Sequence, residues 1–194
     1  MLKQKKQLGY YEAVEVLRQL VEGYRDIHRA GYLHRDIKPA NILHRDGIYK
    51  FADFGFTIPT QEAHLHGHYN VGSPIYMPPE ALKSNAYSLS CDLWAIGVIF
   101  YLVLRGSLPW RAISEKVLYQ KILAEPIDSI SQGLPSAARQ FLSRVLHADP
   151  SQRLGVDDLV EWPARLKAAP VEMRKSMVAS TGPDCRTRLI QPLG

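Results

Sequence analysis

His34-Arg35-Asp36-Ile37-Lys38-Pro39-Ala40-Asn41, followed 17 positions after Asp36 by Asp53-Phe54-Gly55, is the stretch on which the fold turns. Hard cations such as Mg²⁺ take oxygen ligands from carboxylate and amide side chains, and Asp53 and Asn41 supply one of each. Aspartate is also common in turns, so a lone Asp-Phe-Gly carries little weight. Here the two segments are joined by Asn41-Ile42-Leu43-His44 and Ile48-Tyr49-Lys50-Phe51, two β-prone runs either side of Asp46-Gly47, a strong hairpin signal. A hairpin therefore stands between the Asp36 segment and Asp53.

Upstream, Tyr10, Ala13, Val14, Leu17, Leu20, Val21, Tyr24 and Ile27 recur at three- and four-residue steps, which predicts a helix with one buried face over 10–28. Gly31 is placed to end it. Downstream, 56–79 follows neither period and carries Pro59, Gly67, Gly72, Pro74, Pro78 and Pro79, so a long ordered or switchable loop is expected. Ser90 is then the expected N-cap of an apolar helix over 91–105 that Gly106 terminates. Amphipathic stretches follow at Ser114 to Ala124, Ser136 to Leu146 and Val156 to Trp162. From about Pro170 the pattern fades, giving one domain over 1–169 and a polar tail over 170–194.

The composition, 194 residues with 46% hydrophobic and 22% charged, suits a globular protein with one substantial core. Cys91 and Cys185 fit no metal-ligand spacing and are too few for a disulfide framework, which points to an intracellular, cytoplasmic setting. No secretory signal is evident near Met1. The longest apolar run, Leu93 to Leu104, is 12 residues and falls short of the ~20 needed to span a bilayer. The net charge of +5 is scattered, from Lys3, Lys5 and Lys6 to Arg174, Lys175, Arg186 and Arg188, so no nucleic-acid surface is expected.

Together the Asp36 and Asp53 segments resemble the catalytic loop and the metal-binding turn of protein kinases, and the resemblance covers about residues 8–165. Gly72-Ser73-Pro74-Ile75-Tyr76-Met77-Pro78-Pro79-Glu80 resembles the substrate-docking end of the activation segment. Asp92-Leu93-Trp94-Ala95-Ile96-Gly97 resembles the start of the central buried helix, and Asp149-Pro150-Ser151-Gln152-Arg153-Leu154 a late segment whose arginine pairs with the segment-ending glutamate. The resemblance implies a mainly α fold with a small β-hairpin, the C-terminal lobe of a Ser/Thr kinase. The upper lobe's Gly-x-Gly-x-x-Gly loop and Val-Ala-Ile-Lys strand do not precede Asp36.

By that resemblance ATP and Mg²⁺ are the cofactors, with Asn41 and Asp53 as metal ligands and Lys38, Asn41, Leu43 and Asp53 as the ATP-binding set. Asp36 takes the proton of the substrate hydroxyl, and Lys38 steadies the transferring phosphoryl group. Gly72, Ser73 and Glu80 shape the substrate-docking segment. His34 joins Phe54 in a regulatory stack, Asp92 holds the catalytic-loop backbone, and Arg153 pairs with Glu80. Arg35 implies an activating phosphate, with Thr57, Thr60 and Tyr69 as candidate sites. Lys38 with Ser73 matches kinases that act on serine and threonine. Ala40 and Leu102 stand where arginine-directed kinases often carry glutamate, so a preference for arginine upstream of the target is not expected.

Asp53-Phe54-Gly55-Phe56 with the 72–77 segment also resembles autophagy-initiating kinases. His64, His66 and His68 alternate, so an extended strand would set them on one side as it would metal ligands, though a polar loop explains them as well. Residues such as Leu43 and Phe54 would lie exposed unless an upper lobe or a regulatory partner covers them. Two readings remain open: a fragment of a Ser/Thr kinase, or a non-catalytic docking or regulatory module.

Overall fold

A computed structural model describes residues 7–65, 72–84 and 86–168. Its first helix, α1 (Tyr10–Arg29), buries Tyr10, Ala13, Val14, Leu17, Leu20, Val21 and Tyr24 along one stripe. Glu12 in the first turn and Arg29 in the last oppose the helix dipole. On the solvent side Arg18 lies 2.5 Å from Glu15 and 2.6 Å from Glu22, the three- and four-residue steps that face each other on a helix. Gly31 leaves the helix at a φ of 82°, a conformation that favours glycine.

Two small antiparallel sheets follow. β1 (Tyr32–Leu33) pairs with β4 (Ile58–Pro59), and β2 (Ile42–Arg45) pairs with β3 (Ile48–Phe51) in the register Ile42 to Phe51 and Arg45 to Ile48. The second sheet is the expected hairpin; its turn residues Asp46 and Gly47 both take positive φ, at 51° and 79°. The first sheet was not foreseen, because two-residue strands are too short for alternation to register. The span 56–79, expected to be a loop, holds β4, 3₁₀ turns at Thr60–Leu65 and Pro74–Tyr76, and the start of α2 (Pro79–Ser84).

α3 (Leu89–Arg105) is buried almost all round, with Trp94, Ile96, Ile99 and Phe100 among its fully enclosed side chains. Ser90 is not its N-cap: Ser88 is, extended at φ −148°, and its N–H reaches the Cys91 thiol sulfur at 3.4 Å. Gly106 ends the helix in the left-handed conformation, at φ 69°. Gly97 allows close packing on the next layer, since a Cβ there would lie 2.7 Å from a methyl of Val145 and 2.9 Å from one of Leu146.

α4 (Glu115–Ala124) is capped by Ser114, whose hydroxyl accepts from the Val117 N–H at 3.3 Å. The four-residue α5 (Ile127–Ile130) leads into α6 (Ser136–Val145), which packs Ala138, Phe141, Leu142 and Val145 inward. α7 (Val156–Lys167) extends five residues past Trp162, where the sequence reading stopped. Its stripe of Val156, Leu159, Pro163 and Leu166 continues through the proline, and packing on α1 outweighs the lost backbone bond. The Tyr10 hydroxyl donates to the Leu166 carbonyl at 3.1 Å, and Lys167 reaches Glu15 at 3.0 Å.

The fold is thus mainly helical, with α3 at its centre and the hairpin at one edge. No helix among the described residues is long and apolar enough to cross a membrane. The expected tail over 170–194 lies outside the described residues.

Candidate active site

Residues 34–41 connect β1 to a 3₁₀ turn at Pro39–Asn41, and α3 holds that connection in place. Asp92, in the first turn of α3, accepts from the backbone N–H of His34 at 2.8 Å and of Arg35 at 2.9 Å. Burial pushes the Asp92 carboxyl above the usual carboxylate range, while those N–H groups pull it down. Beside it, burial and the Asp92 charge drive the Tyr24 phenol well above its ordinary value. With Asp92 fixing its start, the loop turns through Arg35 in a left-handed conformation, φ 67°. Non-glycine residues held there store strain that surrounding contacts must over-determine.

Asp36 is buried at the centre of the site. Lys38 Nζ lies 2.6 Å from its Oδ2, and the Asn41 amide donates to the same oxygen at 2.9 Å and to the Asp36 backbone carbonyl at 3.0 Å. Ser73 Oγ approaches Oδ1 at 3.4 Å, bringing the 72–80 segment onto the 34–41 loop. That crossing requires glycine at position 72: its φ is 100°, and a Cβ would meet the Arg35 carbonyl oxygen at 2.6 Å.

Asn41 spends both amide N–H groups on Asp36, which leaves its carbonyl oxygen as the atom able to bind a cation. The Ala52 N–H donates to the Asn41 backbone carbonyl at 2.9 Å, tying the far end of the hairpin to the loop. Next to Ala52, Asp53 is exposed and left-handed, φ 64°, and its Oδ1 accepts from the Gly55 N–H at 3.3 Å. One amide oxygen and one carboxylate fit the Mg²⁺ preference for few protein ligands completed by phosphate oxygens and water. Leu43 is 53% exposed on β2, on the open side of the hairpin.

Around this centre, His34 packs its ring 5.1 Å from Phe54 and 5.7 Å from Phe51, with Nε2 buried and unpartnered. Arg35 donates from Nε to the Phe56 carbonyl at 2.7 Å and lies over the Tyr87 ring at 5.7 Å, while its Nη1 is buried without a partner. Thr57 and Thr60 are half-buried, and their hydroxyl oxygens are enclosed and unpartnered, so modification of either requires the segment to open. Tyr69, His66 and His68 lie outside the described residues.

Glu80 and Arg153 meet in a bidentate pair at 2.7 and 3.0 Å. The arginine also donates to the carbonyls of Ser90 and His147 and stacks over Trp94 at 5.0 Å, so all five of its N–H groups are used. Sequence reasoning missed Tyr24 and Tyr87 as supports of the site. Helical spacing marked Tyr24 only as a core position, and Tyr87 sits in a stretch without periodic signal.

A family model described as the protein kinase domain matches residues 1–163. The chain is 37% identical over 162 residues to CBL-interacting protein kinase 1 of Oryza sativa subsp. japonica, covering 81% of this chain and 35% of that protein. It is 35% identical over 165 residues to calcium-dependent protein kinase 9 of Arabidopsis thaliana, covering 80% and 30%. It is 35% identical over 148 residues to 3-phosphoinositide-dependent protein kinase 1 of Arabidopsis thaliana, covering 71% and 30%. The chain spans about a third of the length of these curated relatives.

Proposed function

The chain belongs to the protein kinase family, and on that premise we propose that it serves transfer of the ATP γ-phosphoryl group to serine and threonine hydroxyls of protein substrates. The carrying observation is the Asp36 carboxylate, held at once by Lys38, Asn41 and Ser73 at 2.6, 2.9 and 3.4 Å. In the proposed reaction the substrate oxygen bonds to the γ-phosphorus and gives its proton to Asp36. The bond from that phosphorus to the β–γ bridging oxygen breaks, leaving ADP. Lys38 places a positive charge beside the oxygens that gain negative charge. Asn41 keeps Asp36 aimed and, with Asp53, offers the oxygen ligands for Mg²⁺. When bound, Mg²⁺ offsets phosphate charge. Ser73 brings the peptide-docking segment against the same carboxylate.

Most of the rate in such reactions comes from positioning and electrostatic stabilisation. These 194 residues contain no glycine-rich phosphate loop, so turnover by this chain alone is expected well below the roughly 1 to 100 per second of ordinary kinases. Radiolabelled transfer from ATP to serine-, threonine- and tyrosine-bearing peptides tests the proposal. Slow, Mg²⁺-dependent labelling of serine and threonine peptides is expected, falling by about 10²- to 10⁴-fold in Asp36→Asn. Labelling of tyrosine peptides, or labelling indifferent to Asp36→Asn, would contradict it.

The second reading, a docking or regulatory module of the same family, is favoured by the exposure of Asp53, Leu43 and Phe54. A folded chain with no transfer at all would select it.

A further inference from the structure

On the face of the molecule built by α5, α6 and α7, a groove of about 560 Å³ shares no residue with the candidate active site. Its floor is the outward stripe of α6, where Ser136, Arg139, Gln140, Ser143 and Arg144 recur at three- and four-residue steps opposite the core residues Phe141, Leu142 and Val145. Asp128 closes one side from α5; Trp162 and Arg165 close the other from α7.

The charges in this groove are unequally matched. Asp128 accepts from the Ser143 hydroxyl at 3.2 Å, and Arg165 pairs with Glu161 at 2.6 Å while lying 5.5 Å over the Trp162 ring. Arg139 and Arg144 make no ion pair among the described residues. The Arg139 Nε is moreover buried without any hydrogen-bond partner. A buried donor left unsatisfied is destabilising, and an incoming anionic acceptor would relieve it. The volume falls within the range of ligand-binding clefts.

From this we infer that the α5–α6–α7 groove is a docking site for a carboxylate-rich segment of a partner protein, with Arg139 and Arg144 on its α6 floor as the charge anchors and Trp162 in its α7 wall. The occupant is not this chain's own C-terminal segment. Residues 169–194 carry Arg174, Lys175, Arg186 and Arg188 against Glu172 and Asp184, so their charge matches the groove in sign.

The test is fluorescence anisotropy of a short fluorescein-labelled glutamate-rich peptide titrated with the full chain, which requires neither ATP nor turnover. Failure here therefore leaves the phosphoryl-transfer proposal standing, and the converse holds. The expected result is salt-sensitive binding that weakens about tenfold or more in Arg139→Gln/Arg144→Glu. That size, about 1.4 kcal/mol, follows from losing two partly exposed charge pairs and adding a repulsion. Arg144 is exposed, so Arg144→Glu alone keeps the fold and should give part of the loss. Lys50→Glu, on the hairpin, should give none.

Absence of binding would overturn the inference. So would equal weakening by Lys50→Glu, which would mean attraction to the net charge alone. A marked preference for a phosphoserine peptide or a single-stranded oligonucleotide over the glutamate peptide would overturn it as well.

Discussion

Arg153 shows how much one residue can carry when every donor is used. Its side chain is fully enclosed, with a bidentate grip on Glu80 that joins the start of α2 to the 150–153 turn. Removing one partner of such a pair strands the other charge, typically at about 3 to 5 kcal/mol. Arg153→Ala should therefore lower thermal stability by that order, read as a clear drop in Tm; an unchanged Tm would refute the pairing's importance. The residues around Asp36 were legible because their spacing is matched as a set. The left-handed backbone at Arg35 and Asp53 was not, because neither is glycine and nothing local announces a positive φ.

At the scale of elements, the contact of α1 with α7 ties together the first and last helices among the described residues and depends on Tyr10. Burial, then the neighbouring Tyr11, pushes the Tyr10 phenol up to about 12 while its hydroxyl donates to Leu166. A folded pKa above the unfolded value of 10 means the folded state keeps a proton that the unfolded chain loses. This contribution is therefore complete below pH 10 and is lost as pH rises from 10 toward 12. Tyr10→Phe should destabilise at pH 8 by about 1 kcal/mol, the net worth of one hydrogen bond, and the gap to the parent should narrow on approaching pH 11. Denaturant midpoints across that range check it, and a constant gap would contradict it. α1, α4 and α6 were readable from periodicity because each buries a stripe, and α3 from its apolar run. The two-residue strands, the four-residue α5 and the passage of α7 through Pro163 were not, since pairing and packing decide them at lengths where no period can be counted.

In the whole molecule, exposed large apolar side chains stand both around α4, at Ile113, Val117 and Leu123, and on the hairpin side. Leu43, Ile48 and Phe54 are each more than half exposed, and Phe56 is 40% exposed. Large apolar side chains left exposed on β2, β3 and the turn that follows suit an interaction face. Dyes that fluoresce on apolar surface should bind strongly, and Leu43→Lys/Ile48→Lys should reduce the signal without lowering stability; weak dye binding would show that the face closes on itself. The same side presents Asp53 and the free oxygen of Asn41, the atoms that a Mg²⁺-bound nucleotide would engage. The direct measurement is calorimetric titration of ATP into the chain with and without Mg²⁺, with Asp53→Asn as control. Mg²⁺-dependent binding that is abolished by chelation and weakened at least about tenfold by Asp53→Asn, a loss of about 1.4 kcal/mol, is the predicted result. Binding indifferent to Mg²⁺ and to Asp53, or no binding by the folded chain, would contradict it.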